Sequence, residues 1–129
     1  MITELGKSEY LLLTTFRKNG TPVATPVWVA GEGDVIYAWS AKDTGKVKRL
    51  RNSGVVEVAP CDFRGNPKGE SQPAHATLLS DDESDHVRSL IVKKYGFMGW
   101  LTMFGSKIRR GRTGTIGIKI VERQPEVDG

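Results

Sequence analysis

Thr44 and Gly45 stand directly before Lys46, Lys48 and Arg49 in the run TGKVKRLRN, where the apolar residues Val47 and Leu50 fall three apart. That spacing predicts a short helix over 44–52 with Val47 and Leu50 turned inward and the cations outward. A hydroxyl, a glycine and an ammonium at a helix start make an anion site. The leading backbone N–H groups lack helical acceptors, and the helix dipole favours negative charge there. Phosphate is the guest that this chemistry suits, although a cationic helix face is also an ordinary solvated surface. Trp28, Tyr37 and Trp39 lie on neighbouring predicted strands and are the residues that could line a flat pocket for a ring system. Tryptophan in a barrel core is equally ordinary.

Other reactive residue types are sparse. Cys61 is the single cysteine, so no internal disulfide forms, and with only two histidines it cannot complete a zinc site. No histidine is near Cys61 in sequence to activate it, which makes it a small buried residue rather than a nucleophile. His75 falls within a predicted strand and is read as packed or hydrogen-bonded. His86, in an acidic helix start, is read as facing solvent. No Ser/His/Asp arrangement, GxGxxG motif or Walker loop is present. Any redox chemistry therefore belongs to a bound cofactor, with no catalytic side chain and no metal assigned.

The elements that must position these residues follow from alternation and turn chemistry. Residues 10–17 (YLLLTTFR) predict a strand running into Asn19-Gly20, a hairpin signal. In Pro22–Ala30, Val23, Thr25, Val27 and Val29 share one face and Ala24, Pro26, Trp28 and Ala30 the other. Pro26 cannot donate to a ladder, so it marks an edge, a bulge or a place left open for something else. Val35–Ser40 makes the third strand of an antiparallel meander, and Val55–Pro60 a fourth strand. Residues 62–69 (DFRGNPKG) read as a loop, Glu70–Leu79 as a fifth strand and Thr113–Val121 as a sixth. Ser80-Asp81-Asp82-Glu83 opens a helix carrying Val87, Leu90, Ile91 and Tyr95 until Gly96 stops it. A second apolar stretch, Phe97–Ile108, is read as helix broken by Gly99 and Gly105. Its Met98, Trp100, Leu101, Met103 and Phe104 would cover the barrel, pack on another subunit or form a lid. The order predicts a small antiparallel barrel with helices outside.

The chain has 129 residues, 38% hydrophobic and 26% charged, which fits one globular domain over 1–129 that buries roughly two-thirds of its unfolded surface. Its apolar runs are too short to span a bilayer, and Glu4, Lys7 and Glu9 interrupt the region where a secretory signal would be apolar. A cytoplasmic, membrane-free protein is the expectation. The net charge of +4 favours anionic partners and is concentrated in two segments, 42–51 and 107–112.

The runs LLLTTFRKNGTPVATPVWVA, IYAWSAKDTGKVKRLRN and VVEVAPCDFRGNP, with KYGFMGW later, resemble the pyridoxamine 5′-phosphate oxidase-like superfamily. Within it they are most similar to the actinobacterial group of small F420-dependent, or deazaflavin-dependent, oxidoreductases. The resemblance covers about Ser8 to Val121. It implies a mainly β fold with accessory helices: a six-stranded antiparallel split β-barrel of the FMN-binding type. It also implies a homodimer with cofactor sites at the interface. The strand holding Thr25, Pro26, Val27 and Trp28 would run beside the tricyclic ring and contact it with backbone groups. Trp39, Ser40 and Ala41 would pass the ribityl chain. Thr44, Gly45, Lys46 and Val47 would hold the phosphate, with Lys48 or Arg49 adding charge. Gln72 matches a glutamine that reaches the ring from the other subunit in flavin-binding relatives. Arg109, Arg110 or Arg112 would meet the polyglutamate tail of F420, on charge alone. The pyridoxamine phosphate oxidases proper carry further C-terminal residues for their own substrate, so that activity is not expected.

The implied function is an F420-dependent reductase acting on a small planar organic acceptor. The alternatives are an FMN-binding oxidoreductase of the same fold, a carrier that binds F420 or flavin without turnover, and a basic nucleic-acid-binding barrel. The last lacks the exposed aromatic ladder that single strands need, and no nucleic-acid partner is expected.

Overall fold

The computed structural model describes residues 2–104 and 114–123, with 97–104 described by backbone. Alternation of apolar side chains builds six antiparallel strands: β1 (Tyr10–Phe16), β2 (Pro22–Glu32), β3 (Val35–Ala41), β4 (Val55–Cys61), β5 (Gln72–Leu78) and β6 (Thr115–Glu122). They close into a barrel in the order β1-β2-β3-β6-β5-β4. The mainly β barrel with accessory helices expected from the sequence is the one observed. Between β3 and β4 lies α1 (Gly45–Asn52), and between β5 and β6 lies α2 (Asp81–Phe104).

The inward residues of the strands fill the barrel. Leu11, Leu13, Val27, Val29, Ile36, Val56, Val58, Ile118 and Ile120 are all buried there, joined by Leu50 from α1. Each such side chain contributes about 1.5–3 kcal/mol relative to exposure. Ile2 and Leu5 also enter this core, from a 3-10 helix over Ile2–Lys7 that the sequence reading did not anticipate. A second cluster forms outside the barrel, where Val87 and Ile91 of α2 pack with Ala30, Trp39 and Leu79, and Trp28, Tyr37, Leu90 and Tyr95 surround them.

The helix starts where its sequence signals place it. Ser80 Oγ accepts the Glu83 N–H at 3.3 Å and donates to the Glu83 carboxylate at 3.0 Å, a capping arrangement that satisfies a leading N–H. Gly96 breaks the helical path with φ 78 and ψ 170, a conformation open to glycine and costly for other residues. Two expectations are corrected. Helical backbone resumes after Gly96 and runs to Phe104, so Gly99 does not break it; an isolated glycine costs a helix only about 1 kcal/mol. The fifth strand is shorter than Glu70–Leu79, because ladder pairing to β4 begins only at Gln72 opposite Val58. No helix among the described residues is long and apolar enough to cross a membrane.

Candidate functional site

β2 changes partner along its length, with no residue paired on both sides. β2 pairs with β1 from Pro22 to Val27, and with β3 only from Trp28 to Glu32. Trp28 opposite Trp39 is the last β2–β3 pair, so Pro22–Val27 runs on without β3, while Ser40 and Ala41 pair only with β6. Pro26, which has no N–H to offer a neighbouring strand, lies in the diverging stretch. Thr25 lies there too, and its Oγ1 is buried without a hydrogen-bond partner among the described residues. A buried hydroxyl left in that state is costly unless something else meets it.

A cleft opens at this divergence. Pro26, Val27, Trp28, Trp39, Ser40, Ala41, Thr44 and Lys46 line it, and all eight were singled out from the sequence. On the β3 side, Ser40 Oγ and Thr44 Oγ1 both reach the Ala41 carbonyl, at 3.0 and 3.1 Å, and lie 3.2 Å from each other. Lys46 Nζ donates to Ser40 Oγ at 3.2 Å, which brings the ammonium over the start of α1. That start carries no side-chain cap and no acid in its first turn. Its leading N–H groups and dipole are therefore available to an anion. The Arg49 guanidinium folds back toward the same point: its Nη1 lies 2.8 Å from where a Cβ on Gly45 would stand, and its Nε donates to Thr15 Oγ1 at 2.6 Å. Gly45 leaves room for that approach.

The remaining sequence candidates fall elsewhere. Val47 is buried against the barrel, so its side chain does not face the cleft, and Lys48 projects to solvent from α1. Gln72 lies on β5 opposite Val58 and does not line the cleft of its own chain. Arg109, Arg110 and Arg112 lie outside the described residues, as do the side chains of Met98, Trp100, Leu101, Met103 and Phe104. Two lining residues were missed. Tyr10 comes from β1, and Phe63 from the 62–69 loop, which reads as a connection by its Gly and Pro content. The available signal was the aromatic at Phe63 within an otherwise polar turn sequence.

α2 supports the cleft from behind. The Tyr95 ring stacks on Trp28 with centroids 4.0 Å apart, and the Arg88 guanidinium lies 4.8 Å from the centre of the Trp39 ring. Arg88 is fixed in turn by Asp85 and by Thr115 Oγ1 at 3.1 Å. Tyr95 Oη donates to the Glu9 carbonyl at 2.6 Å and accepts the Val29 N–H at 3.1 Å, at a point where β1 no longer pairs with β2. Burial pushes the Tyr95 phenol up to about 12, so it stays a neutral donor. Lys94 Nζ donates to the carbonyls of Gly6, Ser8 and Val29 at 2.6–2.7 Å, and burial draws its pKa down to about 8. The KY of KYGFMGW thus ties β2 to the N-terminal helix.

Cys61 is buried, and burial, with the charge of Asp62 adding to it, pushes its thiol pKa up; this suits packing rather than nucleophilic attack. His86 is exposed and pairs with Glu32 at 2.8 Å, away from the cleft, and His75 is exposed on β5. The described residues hold no group of His, Cys, Asp or Glu fit for a metal ion.

No protein-family model matches this chain, and no curated protein matches it either. Solved structures do. A candidate pyridoxamine 5′-phosphate oxidase from Listeria innocua aligns over 93% of this chain and 88% of its own, at 19% identity and a TM-score of 0.63. An F420 reductase aligns over 94% and 92%, at 17% identity and 0.62. A FAD-binding protein from Mesorhizobium loti aligns over 95% and 87%, at 15% identity and 0.58. The fold is that of the pyridoxamine 5′-phosphate oxidase-like split barrels, and at such identities the likeness speaks to the fold alone.

Proposed function

We propose that this protein is an oxidoreductase that binds a flavin-type cofactor in the cleft between β2 and β3, and that the cofactor is the deazaflavin F420. The observation that carries the reading is the continuity of two unlike surfaces. An aromatic, edge-open stretch at Pro26–Trp28 and Trp39 runs directly into a cationic, uncapped helix start at Thr44, Lys46 and Arg49. A ring with a phosphate tail matches that sequence of environments. The β2 edge not paired with β3 offers backbone partners for a ring's heteroatoms, and Lys46 with the leading N–H groups of α1 suits a phosphate. The similar structures include proteins described as an F420 reductase and a FAD-binding protein, which agrees with a cofactor of this class. The net charge of +4 favours F420 over FMN, because its glutamyl carboxylates add negative charge.

Reduced F420, when bound, supplies a hydride to an activated double bond of a planar acceptor. The chain's own part is positional. Lys46, Thr44 and Arg49 anchor the phosphate end. Trp28, held from behind by Tyr95, forms a wall of the ring slot, and the buried Trp39, under Arg88, holds β3 in place beside it. No side chain lining the cleft is assigned a proton-transfer role.

The cleft of one chain encloses only ≈ 200 Å³ and stands open to solvent, below the roughly 300–1,000 Å³ of a complete small-molecule site. A second copy completing it, with Gln72 arriving from that copy, accounts for both the open side and the distance of Gln72 from its own cleft. The function is tested by following oxidation of F420H2 against a panel of quinones, nitroaromatics and enones. Turnover at limiting F420H2 is expected to fall by about ten- to a hundredfold in Lys46→Ala and to persist in Lys48→Ala. Tight F420 binding with no acceptor reduced would make the protein a carrier.

A further inference from the structure

Val55 and Phe63 are the large hydrophobic side chains exposed among the described residues, and Phe63 is the more open, at 63%. Its loop is nevertheless tightly tied. Asp62 Oδ1 accepts the N–H groups of Arg64 and Asn66, each at 2.9 Å, and Oδ2 accepts Asn66 Nδ2 at 3.1 Å. The Gly65 N–H donates to the Asp62 carbonyl at 3.0 Å and the Lys68 N–H to the Pro60 carbonyl at 2.8 Å. Gly65 lies against the ring of Pro26 and against Leu12, so the loop is docked on β2 itself. An aromatic held in the open by a rigid loop loses little further freedom when something stacks on it.

Phe63 also stands in a definite place. β2 runs between β1 and β3, and Phe63 with Tyr10 lines the β1 side of the cleft, whereas Ser40, Thr44 and Lys46 line the β3 side. The Arg64 guanidinium lies 5.2 Å from the centre of the Phe63 ring and has no carboxylate partner among the described residues. Arg64 does not line the cleft; it is an exposed cation beside the Phe63 ring, across β2 from the phosphate end.

We propose that Phe63 and Arg64 are the acceptor-recognition residues of the cleft, and that they select a planar aromatic molecule carrying an anionic group such as a carboxylate. The aromatic plane stacks on Phe63, and the anion meets Arg64 at the rim. The acceptor role rests on the cofactor reading above; the binding site itself does not.

The test is direct binding, followed by quenching of tryptophan fluorescence, since Trp28 lines the same cleft. The probes are 4-nitrobenzoate, nitrobenzene and 4-nitrobenzylamine, each titrated with and without saturating FMN. The wild type is expected to prefer 4-nitrobenzoate. Phe63→Ala should weaken binding of the aromatic probes about tenfold, with Phe63→Leu in between. Arg64→Gln should cost about threefold for the benzoate only, erasing the preference for the anion. Unchanged binding in Phe63→Ala, or no binding by the wild type in either condition, overturns the proposal. So does a Phe63→Ala protein that falls to a smaller species in light scattering, since Phe63 would then belong to a contact between copies. Parallel titrations with F420 and FMN separate the two readings. Phe63-dependent benzoate binding by a protein that binds neither F420 nor FMN would sink the cofactor assignment and leave this site standing; cofactor binding without benzoate binding would do the reverse.

Discussion

Lys46 reaches Ser40 Oγ over an uncapped helix start, so its ammonium is the group whose removal should be felt most by a bound phosphate. Lys46→Ala is expected to weaken F420 or FMN binding by about ten- to a hundredfold, the range for losing one charge-assisted hydrogen bond. Lys48→Ala, on the solvent face, should leave it unchanged. Parallel fluorescence titrations of the two variants check this. Asp62 sets a pH limit on the Phe63 loop. Its carboxyl is held below the ordinary 3.8, first by the backbone N–H of Asn66, then by the Asn66 side chain, with Arg64 N–H and Lys68 adding to the effect. A depressed carboxylate contributes stability above its unfolded pKa and loses it as pH falls through the folded value. The loop should therefore hold down to about pH 4 and loosen only below that, as an NMR titration of Asp62 alongside the Phe63 ring signals would show. Tyr95→Phe should cost about 1 kcal/mol in urea unfolding, because the Val29 N–H and the Glu9 carbonyl both lose the phenol. At this scale the sequence was informative where chemistry is local. Ser40, Thr44 and Lys46 sit within seven positions of one another, and Pro26 announces its open edge by lacking an N–H. Phe63 was hidden because its place at the cleft depends on a loop folding back onto Pro26, and Tyr10 because its place depends on β1 pairing with β4 opposite Cys61; no local spacing encodes either.

Among the elements, α2 matters most for the site, because it carries both Arg88 and Tyr95 behind the two tryptophans. Its approach to the barrel is set at Gly117 of β6, directly opposite Trp39. A Cβ there would stand 2.9 Å from Val87 Cγ2 and 3.3 Å from Ser84 Cα, and the Gly117 N–H donates to Ser84 Oγ at 2.8 Å. Gly117→Ala should push α2 outward at a cost of about 1–3 kcal/mol, seen as a Tm lower by about 4 °C per kcal/mol. It should also shift the tryptophan emission of the free protein. A Tm and emission equal to those of the wild type would mean that α2 is not seated as described. Element existence was readable from the chain: strict alternation gave the strands, Asn19-Gly20 the first hairpin with Gly20 at φ 88, and Ser80 to Glu83 the start of α2. The 3-10 helix over Ile2–Lys7 was not, since six residues with only Ile2, Leu5 and Gly6 buried carry too little periodicity to stand out. Helix beyond Gly96 was anticipated but wrongly interrupted at Gly99, where the penalty of one glycine is too small to end an element.

For the whole molecule, β2 hands over from β1 to β3 with no residue paired to both, and the cleft lies at that divergence. Alternation along each strand predicts a barrel, but it cannot say at which residue two neighbours part, because that depends on register along both strands. A second copy is expected to cover the open side of the cleft. Sedimentation should give a dimer, and Gln72→Ala should weaken ring binding without dissociating it; a monomer at micromolar concentration would remove Gln72 from the site. We propose that the cleft between β2 and β3 binds a deazaflavin by its ring and its phosphate together. The most direct test is a titration of the wild-type protein with F420 and, in parallel, with FMN, following the fluorescence of Trp28 and Trp39. Saturable quenching by both is expected, tighter for F420, and about ten- to a hundredfold weaker for both in Lys46→Ala. Preference for FMN would transfer the protein to flavin chemistry, and no quenching by either cofactor would contradict the assignment of this cleft.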